Sequence, residues 1–448
     1  MTGKIGYLWD RLKVSIWFVP LVMSLGAVIL AMIMLDVDVR YGSIPWDWVK
    51  LLRIDAQGVR QVVAVISGAM MTITGVVFSV SVVTLALASN QFGPKVLRNY
   101  LHDTGNKLVL GLFVATFIYA LLILASVDTA QGGFVPIWSM FVSLLLTVLA
   151  TGGLIYYIHN ISTAIQADHV IALIGEELNN VIDTMLVPFE HYGNSAPLTH
   201  KQEWSLQKQG LKRLPIYSAK SGYLQVIDCK ALVSFATEHN VFLEIDKHAG
   251  HFVIEGSSIG SCYAYENISD ATAAQILSLV IFGRQRTPVQ DVEFSIMQLL
   301  QIALRALSPG INDSLTGITC IDWLSAALGR MSGCAFPPSC FRDPVGVLRV
   351  VSNGFSFEGA VNSVFDPLRQ SARGNEMVTI RLLEVLERVI GVAKKVDYCA
   401  VLLAQAELIH EAAIESIPGR SDRKVVTDCF ARCQLAFENT ERVLLGSS

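Results

Sequence analysis

Four charge-free apolar stretches fall within the N-terminal third of the chain: Ile16–Leu35, Val62–Ala88, Leu108–Val127 and Val135–Ile158. Each is about 20 residues or longer, the length a helix needs to cross about 30 Å of hydrocarbon. Aromatic rings gather near their ends, at Trp9, Trp17, Trp46, Trp48, Trp138, Tyr156 and Tyr157, where amphipathic rings meet a bilayer interface. The pattern predicts four membrane spans. The first follows Lys4, Arg11 and Lys13, yet its apolar run exceeds a signal core and no small-residue cleavage site follows, so it reads as a retained span.

The second stretch is two-sided. On a helical wheel, Val63, Val65, Ile66, Met70, Ile73, Val76, Val77, Val80, Val83 and Leu87 share one half. Ser67, Gly68, Thr72, Thr74, Gly75, Ser79 and Ser81 crowd the other. Hydroxyls and glycines gain nothing from lipid tails, so this face is expected to meet helices or water. These seven residues are the candidates for a pore lining or a helix interface. After them, Gln91-Phe92-Gly93-Pro94 breaks the helix, and Lys95–Asn106 reads as an interfacial amphipathic helix. In pattern alone, this succession resembles the pore element of small-conductance mechanosensitive channels.

Beyond the spans the periodicity changes. Ala164, Ala167, Ile171, Ile174, Leu178, Val181 and Met185 form a seam at spacings of three and four, predicting a helical stalk over 160–190. Such a seam either joins subunits or packs on its own domain. Within 191–265, the runs Gly222–Ile227, Val241–Ile245 and His251–Ile254 predict a small β-rich, barrel-like module. Over 266–448 helices are expected at Ala271–Phe282, Val289–Leu307, Leu315–Arg330, Asn375–Ser416 and Asp422–Leu445. The fold class is thus a transmembrane α-helical domain over 1–159, followed by a soluble α+β domain with a helical C-terminal region.

Composition agrees: 52% of the 448 residues are hydrophobic, 16% are charged, and the mean hydropathy is +0.49. A net charge of −4 excludes nucleic acid as a partner, since that needs a basic face. Lys4, Arg11, Lys13, Lys95, Arg98 and Lys107 outnumber Arg40, Lys50, Arg53 and Arg60 in the opposite loop, which places both termini in the cytoplasm. All 8 cysteines lie in the tail at irregular spacings, suited to reduced thiols. The expected location is a bacterial inner membrane, crossed several times.

No catalytic constellation stands out. Glu407-x-x-His410 lacks the second copy a di-iron site needs, and Cys334/Cys340 and Cys429/Cys433 lack zinc spacing. His248 and His251 flank a turn and read as solvent-facing. No cofactor and no metal are expected.

One stretch is specific. Arg286-Thr287-x-x-Gln290-Asp291-x-x-Phe294, then Arg305-Ala306-Leu307-Ser308-Pro309-Gly310-Ile311-Asn312-Asp313, resembles the signature of a family of predicted bacterial membrane proteins catalogued as domain of unknown function 2254. The likeness extends to Phe78–Pro94 and to Gly222-Tyr223-Leu224-Gln225; Ser314 stands where the family usually has proline. The resemblance implies an integral membrane protein and assigns no reaction. Physically, Ser308-Pro309-Gly310 ends a helix and Asn312 and Asp313 can cap the next, making a helix–turn–helix corner with Arg305 paired to Asp313 or Asp291. The ligand-binding alternative gathers Arg284, Arg286 and Arg305 around a small anion at the helix start, which Asp313 itself opposes.

These features point to a homo-oligomeric channel or channel-like protein with the second span as its central helix. The different-class alternative is a membrane-anchored sensor or scaffold whose tail binds a ligand or partner, without a pore. Partners are the lipid bilayer and further copies of the chain; the sequence does not define an ion or small ligand. Spans free of Asp, Glu, Lys and Arg argue against a proton-coupled pump.

Overall fold

The computed structural model describes residues 17–41, 55–92, 104–128, 134–164, 166–189, 204–205, 207–265, 270–336, 340–352 and 354–446. It divides into two units, Met1–His169 and Val170–Ser448.

The first unit holds the helices α1 (Phe18–Tyr41), α2 (Ala56–Phe92), α3 (Thr104–Ser126) and α4 (Ile137–Ala164). All four are long and apolar enough to cross a membrane. Helix α3 is the centre of the bundle, with 44% of its apolar window buried against 17% in each of the others. Phe113, Tyr119, Ala120 and Ile123 on α3 meet Ala27 and Ala31 of α1 and Val59, Val63, Ile66, Met70 and Val77 of α2. Gly111 permits the closest approach, because a Cβ there would stand 2.5 Å from Met23 Sδ and 3.2 Å from Pro20 Cα.

The helices outrun their apolar stretches. Helix α1 takes in Asp36, Asp38 and Arg40, and α3 takes in Lys107. Asp38 and Lys107 are buried, although both lie just outside the charge-free stretches of the sequence. The Asp38 carboxylate fills the start of α4: Oδ1 accepts the Trp138 N–H at 2.8 Å, and Oδ2 accepts the Ser139 N–H at 3.0 Å and the Ser139 hydroxyl. Those amides have no carbonyl partner within their own helix, and the positive helix end favours a carboxylate. Up to residue 103, the interfacial helix expected over Lys95–Asn106 lies outside the described residues; Thr104–Asn106 already belong to α3.

The second unit opens with α5 (Ala167–Met185, entering the unit at Val170), then β1 (Val187–Pro188), β2 (Lys212–Tyr217), β3 (Gly222–Ile227), α6 (Cys229–Glu238), β4 (Phe242–Ile245), β5 (Phe252–Val253), β6 (Ser258–Ala264), α7 (Asp270–Ser278) and β7 (Val280–Gly283). There follow α8 (Val292–Ala306), α9 (Ser314–Ser332), β8 (Cys334–Ala335), β9 (Cys340–Arg342), β10 (Leu348–Ser352), α10 (Phe357–Ser371), α11 (Glu376–Val392), α12 (Val396–Ser416) and α13 (Arg420–Gly446). The strands form no closed barrel. A five-stranded sheet runs β2-β6-β4-β10-β9, a three-stranded sheet runs β5-β3-β7, and β1 pairs with β8. Strand β10 lies parallel to β4, the other pairs being antiparallel. Leu224, Leu232, Leu243, Ile259, Ile276 and Val350 are buried together in the core of this β section.

Three sequence expectations change here. Residues 280–283 are a strand rather than the end of a helix, because Tyr223 to Ile227 offer them an edge. Asn375–Ser416 is two helices, parted at Ala393–Lys395. Helix α10 has no sequence counterpart, since Pro367 and scattered polar residues hide its apolar stripe. The stalk seam, in turn, belongs to its own domain: Ile171, Ile174, Leu178 and Ile182 are buried, and Gly175 lies so close to Trp323 that a Cβ would sit 2.2 Å from the indole.

The cap supplied by Asp38 generates a direct expectation. Asp38→Ala should cost about 0.5–2 kcal/mol of bundle stability, and Asp38→Asn less, because its carbonyl oxygen still accepts one amide. Denaturation of the detergent-solubilised protein measures this; an unchanged midpoint for Asp38→Ala contradicts the capping role.

Candidate functional site

The structure divides the seven small and polar residues of α2 into two groups. Ser67 is buried, and Thr74 and Ser81 are half-buried, turned into the bundle of their own chain. The Ser81 and Tyr157 hydroxyls meet at 2.5 Å, and both reach the Val77 carbonyl, at 2.8 and 3.0 Å. Gly68, Thr72, Gly75 and Ser79 are exposed along the opposite side, with nothing within 4 Å of a Cβ at Gly68 or Gly75. Gln57 and Gln61 extend the same line toward the start of the helix. Part of the half expected to face lipid, Val63, Ile66, Met70 and Val77, is instead what packs against α3, because branched side chains fill the groove around Phe113 and Tyr119. Val65, Val76, Val80, Val83 and Leu87 remain exposed.

In the second unit, the signature residues form two separate structures at the two ends of α8. At its start, Asp291 caps the helix by accepting the Phe294 N–H at 3.0 Å and binds Arg286 through two 2.7 Å contacts. Gln290 pairs with the strand edge, accepting the Ile227 N–H at 2.9 Å. Gly250, at φ +96°, makes room: a Cβ there would stand 2.3 Å from Asp291 Oδ2. At the far end, Ser308 closes the helix through the Arg305 carbonyl at 2.7 Å. Asn312 takes the left-handed conformation, φ 52°, in place of Gly310, and leaves the capping to Asp313 alone. The Asp313 carboxylate accepts the Thr316 hydroxyl at 2.6 Å and its N–H at 3.1 Å, which holds it below the usual carboxylate range. Ser314 accepts Asn375 Nδ2 at 2.7 Å, a contact proline could not make.

The arginine pairing therefore differs from the sequence expectation. Arg286 takes Asp291, while Arg305 and Arg284 stand exposed and unpaired among the described residues. Fifteen residues of helix separate Asp291 from the corner, about 22 Å at helical rise, so Arg284, Arg286, Arg305 and Asp313 do not assemble an anion site.

Comparison with known proteins fits this picture. A family model described as a predicted membrane protein, DUF2254, matches residues 13–388. The chain belongs to the DUF2254 family. It is similar to an uncharacterized protein of Mycobacterium tuberculosis and to one of Mycobacterium bovis, each 29% identical over 384 residues, or 84% of this chain and 72% of theirs. No solved structure matches the chain. This DUF2254 protein carries its signature as one buried ion pair and one exposed helix corner.

Sequence reasoning missed the surroundings of that ion pair. His248 and His251 are half-buried rather than solvent-facing, and their rings stack at 3.8 Å. Burial, then the charges of His248, Lys247 and Arg286, push the His251 ring down to about 4, with Asp291 opposing. An unfolded histidine titrates at 6.5, so between 6.5 and about 4 the unfolded chain takes up a proton that the native ring refuses. The stability of this unit should be intact above pH 6.5 and fall as the pH drops toward 4. In His251→Gln that part of the pH slope should vanish; identical slopes for the two proteins over this window contradict the assignment.

Proposed function

We propose that this protein is a homo-oligomeric, channel-like permeation protein of the bacterial inner membrane, with both termini in the cytoplasm. Copies of α2 meet around a shared axis through the line Gly68, Thr72, Gly75 and Ser79. One observation carries the reading: α2 packs Val63, Ile66, Met70 and Val77 within its own bundle and leaves Gly68, Thr72, Gly75 and Ser79 uncovered, beside exposed valines that suit lipid. Lipid gives that side no partner, whereas a second α2 or water does. Beyond the exposed Arg60 near the helix start, the line from Gln61 to Ser79 carries polar groups and no fixed charge, which suits passive passage better than coupled pumping. The same glycines also permit a dry helix–helix seam, the arrangement of a membrane-anchored scaffold or sensor without a pore.

The two readings separate on wetting. In the protein reconstituted in a planar bilayer, Thr72→Cys and Ser79→Cys should react with a charged, water-soluble thiol reagent, and reaction should change ion flux. Val77→Cys, facing α3, should stay inert. If Thr72→Cys and Ser79→Cys prove inert while the assembly persists, the face is dry and the channel reading falls.

A further inference from the structure

We infer that a cavity of about 600 Å³ in the second unit is a binding site for a small, uncharged, largely apolar molecule that carries hydrogen-bond acceptors. Its volume lies within the range of small-molecule sites. Met185 and Leu186 at the end of α5, Phe341 of β9 and Phe355 give it apolar walls.

The polar lining includes donors that no described residue accepts. Ser352, at the end of β10, is only 9% exposed and lines the cavity, yet its hydroxyl bonds to no described residue. A hydroxyl that opens onto a cavity without a protein partner is free to donate to a ligand's acceptor. Helices α6 and α8 both begin at this cavity. Their caps, Asp228 and Asp291, take the N–H groups of Ala231 and Phe294, leaving those of Cys229, Lys230, Val292 and Glu293 without an acceptor among the described residues.

Charge selects among acceptors. Arg286 pairs with Asp291 at 2.7 Å and reaches Glu293 at 3.6 Å, so three lining carboxylates, with Asp228, face one shared arginine and the lining cation Lys230. Those carboxylates repel a full anion, whereas a carbonyl or ring nitrogen accepts from the same donors without that repulsion. Because Met185 and Leu186 end the helix that follows α4 in the chain, occupancy fixes the far end of that helix. The site stands whether or not α2 lines a path.

The test uses the full chain in detergent and three probes on one ring: 1-naphthamide, its anion analogue 1-naphthoate, and no probe. Hydrogen–deuterium exchange of the segments holding Cys229–Lys230 and Val292–Glu293 reports on the free amides directly. 1-Naphthamide should slow exchange in both segments, and Ser352→Ala should weaken its binding about fivefold, the loss of one hydrogen bond. Val289→Trp, at an exposed rim position, should abolish the protection. The inference is overturned if 1-naphthamide protects neither segment, if Val289→Trp binds it unchanged while still folded, or if 1-naphthoate binds more tightly.

Discussion

In hydrocarbon, a helix must place each hydroxyl and each exposed stretch of backbone against a partner, and α2 leaves Gly68, Thr72, Gly75 and Ser79 uncovered within its own chain. Val59, Val63, Ile66, Met70 and Val77 are drawn into the groove around Phe113 and Tyr119, and that choice fixes which side remains outside. Ser67 is buried and Thr74 and Ser81 are half-buried at the edge of the groove; Gly68, Thr72, Gly75 and Ser79 stay exposed, the Thr72 hydroxyl turning back to the Gly68 carbonyl at 3.0 Å. The central position of α3 in the monomer and the unfinished face of α2 are two consequences of the same packing. In the proposed assembly, a second copy of the chain supplies what the first lacks.

Buried polar contacts then set the geometry around the apolar cores. Asp38 ties the end of α1 to the start of α4, and the Ser81–Tyr157 contact ties α2 to α4. In the second unit, Arg286 and Asp291 hold the loop before α8 against the turn at Gly250. Each is costly to break, because removing one partner leaves a buried polar group unsatisfied. The signature stretch is thus architectural at both ends of α8, and the open, unpaired donors lie beside it in the cavity.

Local signals in the sequence were readable where the structure obeys local rules. Four apolar runs became four spans, and Asp313 caps α9 because its side chain needs only an N–H three residues on. What escaped depends on contacts distant in sequence. Arg286 and Arg305 look alike in the chain, and only the fold decides that Arg286 reaches Asp291. Strand β10 joins β4 across about a hundred residues, which no periodicity announces. Asp38 read as a loop charge because hydropathy ends before the helix does. The wheel of α2 sorted residues by polarity, whereas packing against α3 divides both of its halves, taking in Ser67 with Val63 and leaving out Thr72 with Val76.

The most direct measurement of the central claim is cross-linking between copies in native membranes. Single cysteines at Gly68→Cys and Gly75→Cys, placed in a background where the native cysteines are replaced, should form intermolecular disulfides under mild oxidation, while Val63→Cys should not. Cross-linking confined to Gly68 and Gly75 is the predicted result. Absence of dimers at both positions, or equal cross-linking at Val63, would contradict an α2–α2 interface.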